Sequence, residues 1–142
     1  MVQRLRTLIL LVAVATPLAA ADLPLSRAES SNYAATSSHA DVMSFIRELQ
    51  QRSNRVRVET LATSTEGRPV PLLVIGDPVP ASPSDLRHDK RAVVYFQANI
   101  HAGEVDGKDA FLMVARDLAT GPAAKYLDRL VVLIAPNFNP DG

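Results

Sequence analysis

The sequence predicts an α/β fold with a mixed, largely parallel sheet and flanking helices, and three observations carry that prediction. Two near-continuous apolar runs, residues 92–100 and 130–135, have the composition of strands buried on both faces. A helical pattern lies between them, which makes a βαβ unit with parallel strands and a right-handed crossover. Upstream, two shorter alternating segments separated by a turn form an antiparallel hairpin.

The chain has 142 residues, the length of one ordinary domain, and is 47% hydrophobic and 21% charged, a globular composition. Fifteen Lys plus Arg balance fifteen Asp plus Glu, so no charge excess points to nucleic acid or an anionic membrane surface. The absence of cysteine excludes disulfides, thiolate zinc sites and a cysteine nucleophile. Any metal must therefore be held by carboxylates and by the three histidines.

Residues 1–21 read as a signal peptide. Arg4 and Arg6 precede an apolar run, and Ala19 and Ala21 stand at −3 and −1 of a cut after Ala21. The run is too short to span a bilayer and is soon followed by Asp22 and Pro24, so the expected product is exported, to the periplasm or the medium, with no stable membrane insertion after cleavage. Residues 22–37, rich in Ser and Ala without apolar period, read as a loose or wrapping N-terminal segment.

The folded domain is expected over residues 38–142. Ser38 and Asp41 mark a helix start, and Val42, Phe45, Ile46 and Leu49 follow at i, i+3, i+4, i+7. Val56, Val58 and Leu61 alternate as a half-buried strand. Glu66-Gly67-Arg68 is a turn, and residues 70–75 form the returning strand. Residues 77–91 are a proline-rich surface connection. Residues 108–119 are helical, with Phe111, Val114, Ala115 and Leu118 on one face and Gly121-Pro122 as the stop; 123–129 form a further short helix. The last strand, 130–135, reads as central, and a chain ending just beyond a central strand looks cut short.

His101 and Glu104 lie after the first buried strand and before the helix, where open α/β sheets tend to place ligand sites. In a tight turn an imidazole and a carboxylate three residues apart can face one point, and both are zinc donors. Gly103 is expected to let that turn tighten, and Gly107 to let the backbone run close as the helix begins. The same spacing also suits an ordinary hydrogen-bonded pair. Asp106 reads as a helix N-cap, His39 and His88 as solvent-facing, Arg68 and Lys108 as surface cations, and residues 139–142 as turn chemistry.

NIHAGEVDGK, the βαβ unit after it and PNFNPDG at the next strand end resemble, in order and spacing, the zinc metallocarboxypeptidase family that includes carboxypeptidase A. SNYAATSSHADVMSFIREL and EGRPVPLLVI are similar to the opening helix and hairpin of bacterial secreted members, so the resemblance spans residues 30–142. It implies a carboxypeptidase-like fold, hydrolysis at peptide or protein C-termini, and a zinc ion held by two His and one Glu, with His101 and Glu104 matching the first two ligands. In the family the third ligand, the oxyanion and carboxylate-binding arginines and the general-base Glu lie downstream of the Asn139-Pro140-Asp141-Gly142 turn. No catalytic residue is therefore assigned here, and the chain is expected to be an N-terminal part, inactive alone. Two other readings stand beside this one: a related zinc deacylase or cell-wall peptide hydrolase, which Ala102 disfavours because deacylases usually carry His-Gly-x-Glu, and a non-catalytic exported peptide-binding protein.

Overall fold

The computed structural model describes residues 23–142, and the expected signal segment, residues 1–21, lies outside them. Ser26 opens a one-turn helix, α1 (Arg27–Ser30), through a reciprocal capping box with Glu29. A second capping box, between Ser38 and Asp41, starts α2 (His39–Arg52) at the position the sequence indicates. Val42, Phe45, Ile46 and Leu49 form its buried stripe. Each such side chain contributes about 1.5–3 kcal/mol on leaving water.

β1 (Val56–Thr63) and β2 (Pro69–Ile75) pair antiparallel around a turn in which Gly67 adopts φ +80°. The register slips between Thr60 and Ala62, and Leu61, expected to follow Val56 and Val58 inward, is exposed. Leu61 stands three residues after Val58, an odd offset that strand alternation turns to the other face, and it sits at the slip itself. The proline-rich connection carries one short helix, α3 (Pro83–Leu86), and His88 in it is exposed as expected. β3 (Ala92–Gln97), α4 (Val105–Thr120), a 3₁₀ segment (Pro122–Asp128) and β4 (Leu130–Ala135) complete the fold.

The four strands lie in the order β1-β2-β4-β3. β2 pairs antiparallel with β4, and β4 pairs parallel with β3, so the sheet is mixed and the βαβ unit supplies its parallel pair. One cross-strand row runs Val58, Leu73, Ile134, Phe96, and the next runs Val56, Ile75, Val132, Val94. Leu73, Ile75, Val132 and Ile134 from these rows join the buried stripe of α2 and the inner face of α4 in a single apolar cluster.

Two expectations about burial are corrected. β3 is not covered on both faces: it lies at the sheet edge of the described residues, and Val93 and Tyr95 are each 46% exposed. Among the described residues Phe96 finds an aromatic partner in Phe111 of α4, at 5.0 Å between ring centroids. The buried face of α4 is also rotated. Lys108, Asp109, Leu112, Ala115, Leu118 and Ala119 are buried, whereas Val114 is exposed and Phe111 only half-buried.

The N-terminal segment, expected to be loose or wrapping, is tied to α4. Asp109 accepts from Ala28 N at 3.3 Å, Thr36 Oγ1 at 2.6 Å, Ser37 N at 3.1 Å and Ser37 Oγ at 2.6 Å. Arg116 grips both carboxylate oxygens of Glu29 at 2.8 and 2.9 Å. A buried carboxylate needs donors, and this segment supplies them. Among the described residues no helix is long and apolar enough to cross a membrane.

Candidate functional site

The parallel pairing of β3 and β4 continues past the ends of both strands. Ala98 N donates to Ala135 O, Phe138 N to Ala98 O and Asn139 N to Asn99 O, each at 3.0 Å. The turn carrying His101 and the turn at residues 139–142 are therefore held side by side at the carboxyl end of the parallel pair. Asn99, only 2% exposed, makes the bend with φ +54°, a conformation asparagine adopts more readily than most residues. Its Nδ2 donates to Asn137 Oδ1 at 2.9 Å and to Asn139 O at 3.1 Å. Asn137 in turn reaches His39 Nδ1 at 3.3 Å.

His101 and Glu104 converge on one another beyond that bend. His101 Nδ1 lies 2.8 Å from Glu104 Oε1, and the His101 amide donates to Oε2 at 3.2 Å. Glu104 N closes the turn on His101 O at 3.0 Å. These bonds to the ring and the amide of His101 hold the Glu104 carboxyl below its ordinary value. Both side chains are open to solvent, 79% and 56% exposed, so a ligand can reach them. Glu104 stands at the N-cap position of α4 but caps nothing with its side chain.

A zinc ion with Zn–N and Zn–O near 2.0–2.2 Å keeps two tetrahedral donors about 3.3 Å apart. The imidazole nitrogen and the carboxylate oxygen are close to that separation already, so this half of a His/Glu donor set fits. Among the described residues no group of three or more His, Cys, Asp or Glu is placed to hold a metal.

The other sequence expectations divide. Gly107 sits where a Cβ would approach Ala98 Cβ to 3.1 Å, so the close approach of helix to strand is present. Gly103 has open space around it and is not required by the turn. Asp106 is not an N-cap but a residue of the first helical turn. His39 is half-buried rather than solvent-facing, and burial, with Arg68 and Lys108 nearby, pushes its imidazole below the ordinary value. Lys108 is only 6% exposed rather than a surface cation.

Arg68, also expected to be a plain surface turn residue, is half-buried and clamps the second turn. Its guanidinium binds Asp141 Oδ1 at 3.0 Å, Pro140 O at 3.1 Å and Glu66 Oε2 at 2.7 Å. Asp141 further accepts from Ser64 Oγ at 2.7 Å and Glu66 N at 3.0 Å. Residues 139–142 thus do form a turn, and Asp141 is its anchor to the hairpin. Sequence reasoning did not pick out Asn99 and Asn137. The signal for Asn99 was its position at the end of a strand just before a sharp bend.

Residues 42–142 match the zinc carboxypeptidase family. Carboxypeptidase 2 of Trichophyton rubrum is 32% identical over 83 residues, which cover 56% of this chain and 15% of that protein. The crystal structure of carboxypeptidase A from Helicoverpa armigera superposes with a TM-score of 0.64 at 25% identity, over 75% of this chain and 25% of that one. A metallo-carboxypeptidase from Burkholderia cenocepacia superposes with a TM-score of 0.55 at 29% identity, over 72% of this chain and 26% of that one. The chain therefore spans about a seventh of the curated relative's length and about a quarter of each solved structure.

Proposed function

Because the chain belongs to the zinc carboxypeptidase family, we propose that it forms the N-terminal part of an exported, zinc-dependent enzyme that removes C-terminal residues from peptides, with His101 and Glu104 as two of the metal's ligands. The observation that carries this reading is the 2.8 Å convergence of His101 Nδ1 and Glu104 Oε1 on an exposed turn. When bound, zinc would acidify a water and polarise the scissile carbonyl.

What these residues themselves contribute is a prepared pair of donors. Ligation through Nδ1 would replace the hydrogen bond to Glu104 and would take the neutral ring with its proton on Nε2. The low-lying Glu104 carboxyl is ionised at neutral pH, as a ligand must be. Asn99, fixed by Asn137 and the 139–142 turn, sets the direction in which the His101 turn leaves β3. The third ligand, the arginines and the general-base Glu belong, by the family resemblance, to sequence downstream of Gly142, and none is assigned here. Export rests on the basic start, apolar run and alanines of residues 1–21.

The test uses the product of the complete reading frame. It is expected to hold one zinc, to release C-terminal amino acids from peptides in a chelator-sensitive way, and to lose both properties in His101→Ala. The 142-residue chain alone is expected to do neither, since catalytic zinc takes three protein ligands. Peptide hydrolysis unaffected by chelators, or full zinc occupancy in His101→Ala, would overturn the assignment.

A further inference from the structure

A groove on the side of the 139–142 turn next to α2 is lined by His39, Ala40, Arg68, Lys108, Asn137 and Asp141. Lys108 decides its character. The residue is 6% exposed and lines the groove, yet its side chain makes no hydrogen bond or ion pair among the described residues. An ammonium taken this far out of water calls for a counter-charge. The neighbouring Asp109 cannot serve, because its oxygens are taken by Ala28, Thr36 and Ser37. Asp141 and Glu66 are engaged with Arg68.

The same groove receives the first turn of α2, a helix of fourteen residues. Ser38 Oγ satisfies the amide of Asp41 and Ser38 O that of Val42, while the amides of His39 and Ala40 come too early in the helix to find an intrahelical acceptor. With Nδ1 of His39 accepting from Asn137, the neutral ring carries its proton on Nε2 and is a further donor. A helix N-terminus with a buried, unpartnered cation beside it is an arrangement that binds anions.

We propose that this groove is a binding site for a small oxyanion, a phosphate or carboxylate group, held by Lys108 and the first amides of α2. Arg68 shapes the rim, its charge already shared between two carboxylates. The site does not depend on the zinc assignment: Gly142 lines the groove next to Ala102, but neither His101 nor Glu104 is among the lining residues.

The experiment titrates the full chain with inorganic phosphate and, separately, with sodium acetate, at constant ionic strength in chloride. Amide chemical shifts and thermal unfolding are followed. Saturable shifts are expected at the His39 and Ala40 amides, with a rise in Tm of a few degrees. Lys108→Met should weaken binding at least tenfold, and Lys108→Arg should restore most of it. Saturation by phosphate alone would assign a phosphate group, and saturation by acetate alone a carboxylate. The proposal is overturned if neither anion gives saturable shifts at those amides in the unsubstituted chain. It is equally overturned if Lys108→Met binds as tightly as the parent. Should that variant not fold, the amide shifts of the unsubstituted chain decide the matter.

Discussion

The Asp109 carboxylate accepts from Ser37 on both of its oxygens, Oδ1 from the hydroxyl at 2.6 Å and Oδ2 from the amide at 3.1 Å, across 72 residues of chain. The remaining capacity goes to Thr36 and Ala28. The segment before α2 therefore ends at a buried anion on α4. Asp109→Ala removes the acceptor for two amides and two hydroxyls. Hydroxyls can rotate to new partners, but the buried amides cannot. The expected loss is about 3 kcal/mol of stability, since bonds to a charged acceptor are worth about 1.5–3 kcal/mol and unmatched buried donors cost about as much. Urea unfolding measures it, and a midpoint unchanged from the parent would show that the segment is not held.

The same carboxylate makes stability depend on pH. Burial alone would raise the Asp109 pKa, but the Ser37 and Thr36 hydroxyls and the Ser37 and Ala28 amides more than offset it and hold the group below its ordinary value. A carboxyl lowered in the folded state binds protons more readily when unfolded. Its contribution is therefore complete above the unfolded value, near pH 4, and is lost as pH falls through the lower folded value. Glu29 follows the same sign: burial opposes ionisation and Arg116 restores it. The difference in unfolding free energy between the parent and Asp109→Ala is accordingly expected to be constant from pH 7 to 5 and to narrow below about pH 4. A difference that widens in acid would reverse the assigned sign.

Much of this architecture is legible in the sequence because local signals and tertiary structure agree. Ser38 with Asp41 announces α2, Gly67 the hairpin turn, and the two apolar runs the βαβ unit. The His101–Glu104 turn is legible for the same reason: three-residue spacing at a strand end brings the two side chains together. What the pattern does not reveal depends on partners far away in the chain. An apolar run carries no record of its neighbours: among the described residues β4 is flanked on both sides and β3 on one, yet the two read alike. Lys108 reads as a surface cation and is buried, and nothing local marks Asp109, whose partners Ala28, Thr36 and Ser37 come from an N-terminal segment whose approach no local period encodes.

The rotated face of α4 gives a direct comparison. Leu112 is fully buried in the apolar cluster, whereas Val114, which the pattern placed inward, is 39% exposed. Leu112→Ala is expected to cost about 2–5 kcal/mol through lost burial and the cavity left behind. Val114→Ser should change stability by no more than about 0.5 kcal/mol, the usual range for surface positions. Equal effects in thermal unfolding would restore the face read from the sequence.

Asn99 couples fold to site more directly than any other residue. Its backbone takes φ +54°, its Nδ2 spans from Asn137 to the 139–142 turn, and its Oδ1 is buried without a partner among the described residues. The strain of that φ is offset by its side-chain bonds together with the main-chain bond from Asn139 N to Asn99 O. Asn99→Ala loses both bonds and retains the strained backbone, for an expected destabilisation of about 2–3 kcal/mol. Asn99→Gly loses the same bonds but relieves the backbone, and should recover about 1 kcal/mol of that. The two variants thus separate conformation from hydrogen bonding. If Asn99→Ala and Asn99→Gly unfold at the same urea concentration, backbone strain is not what the asparagine bears. If both match the parent, the bond to Asn137 does not hold the His101 turn in place.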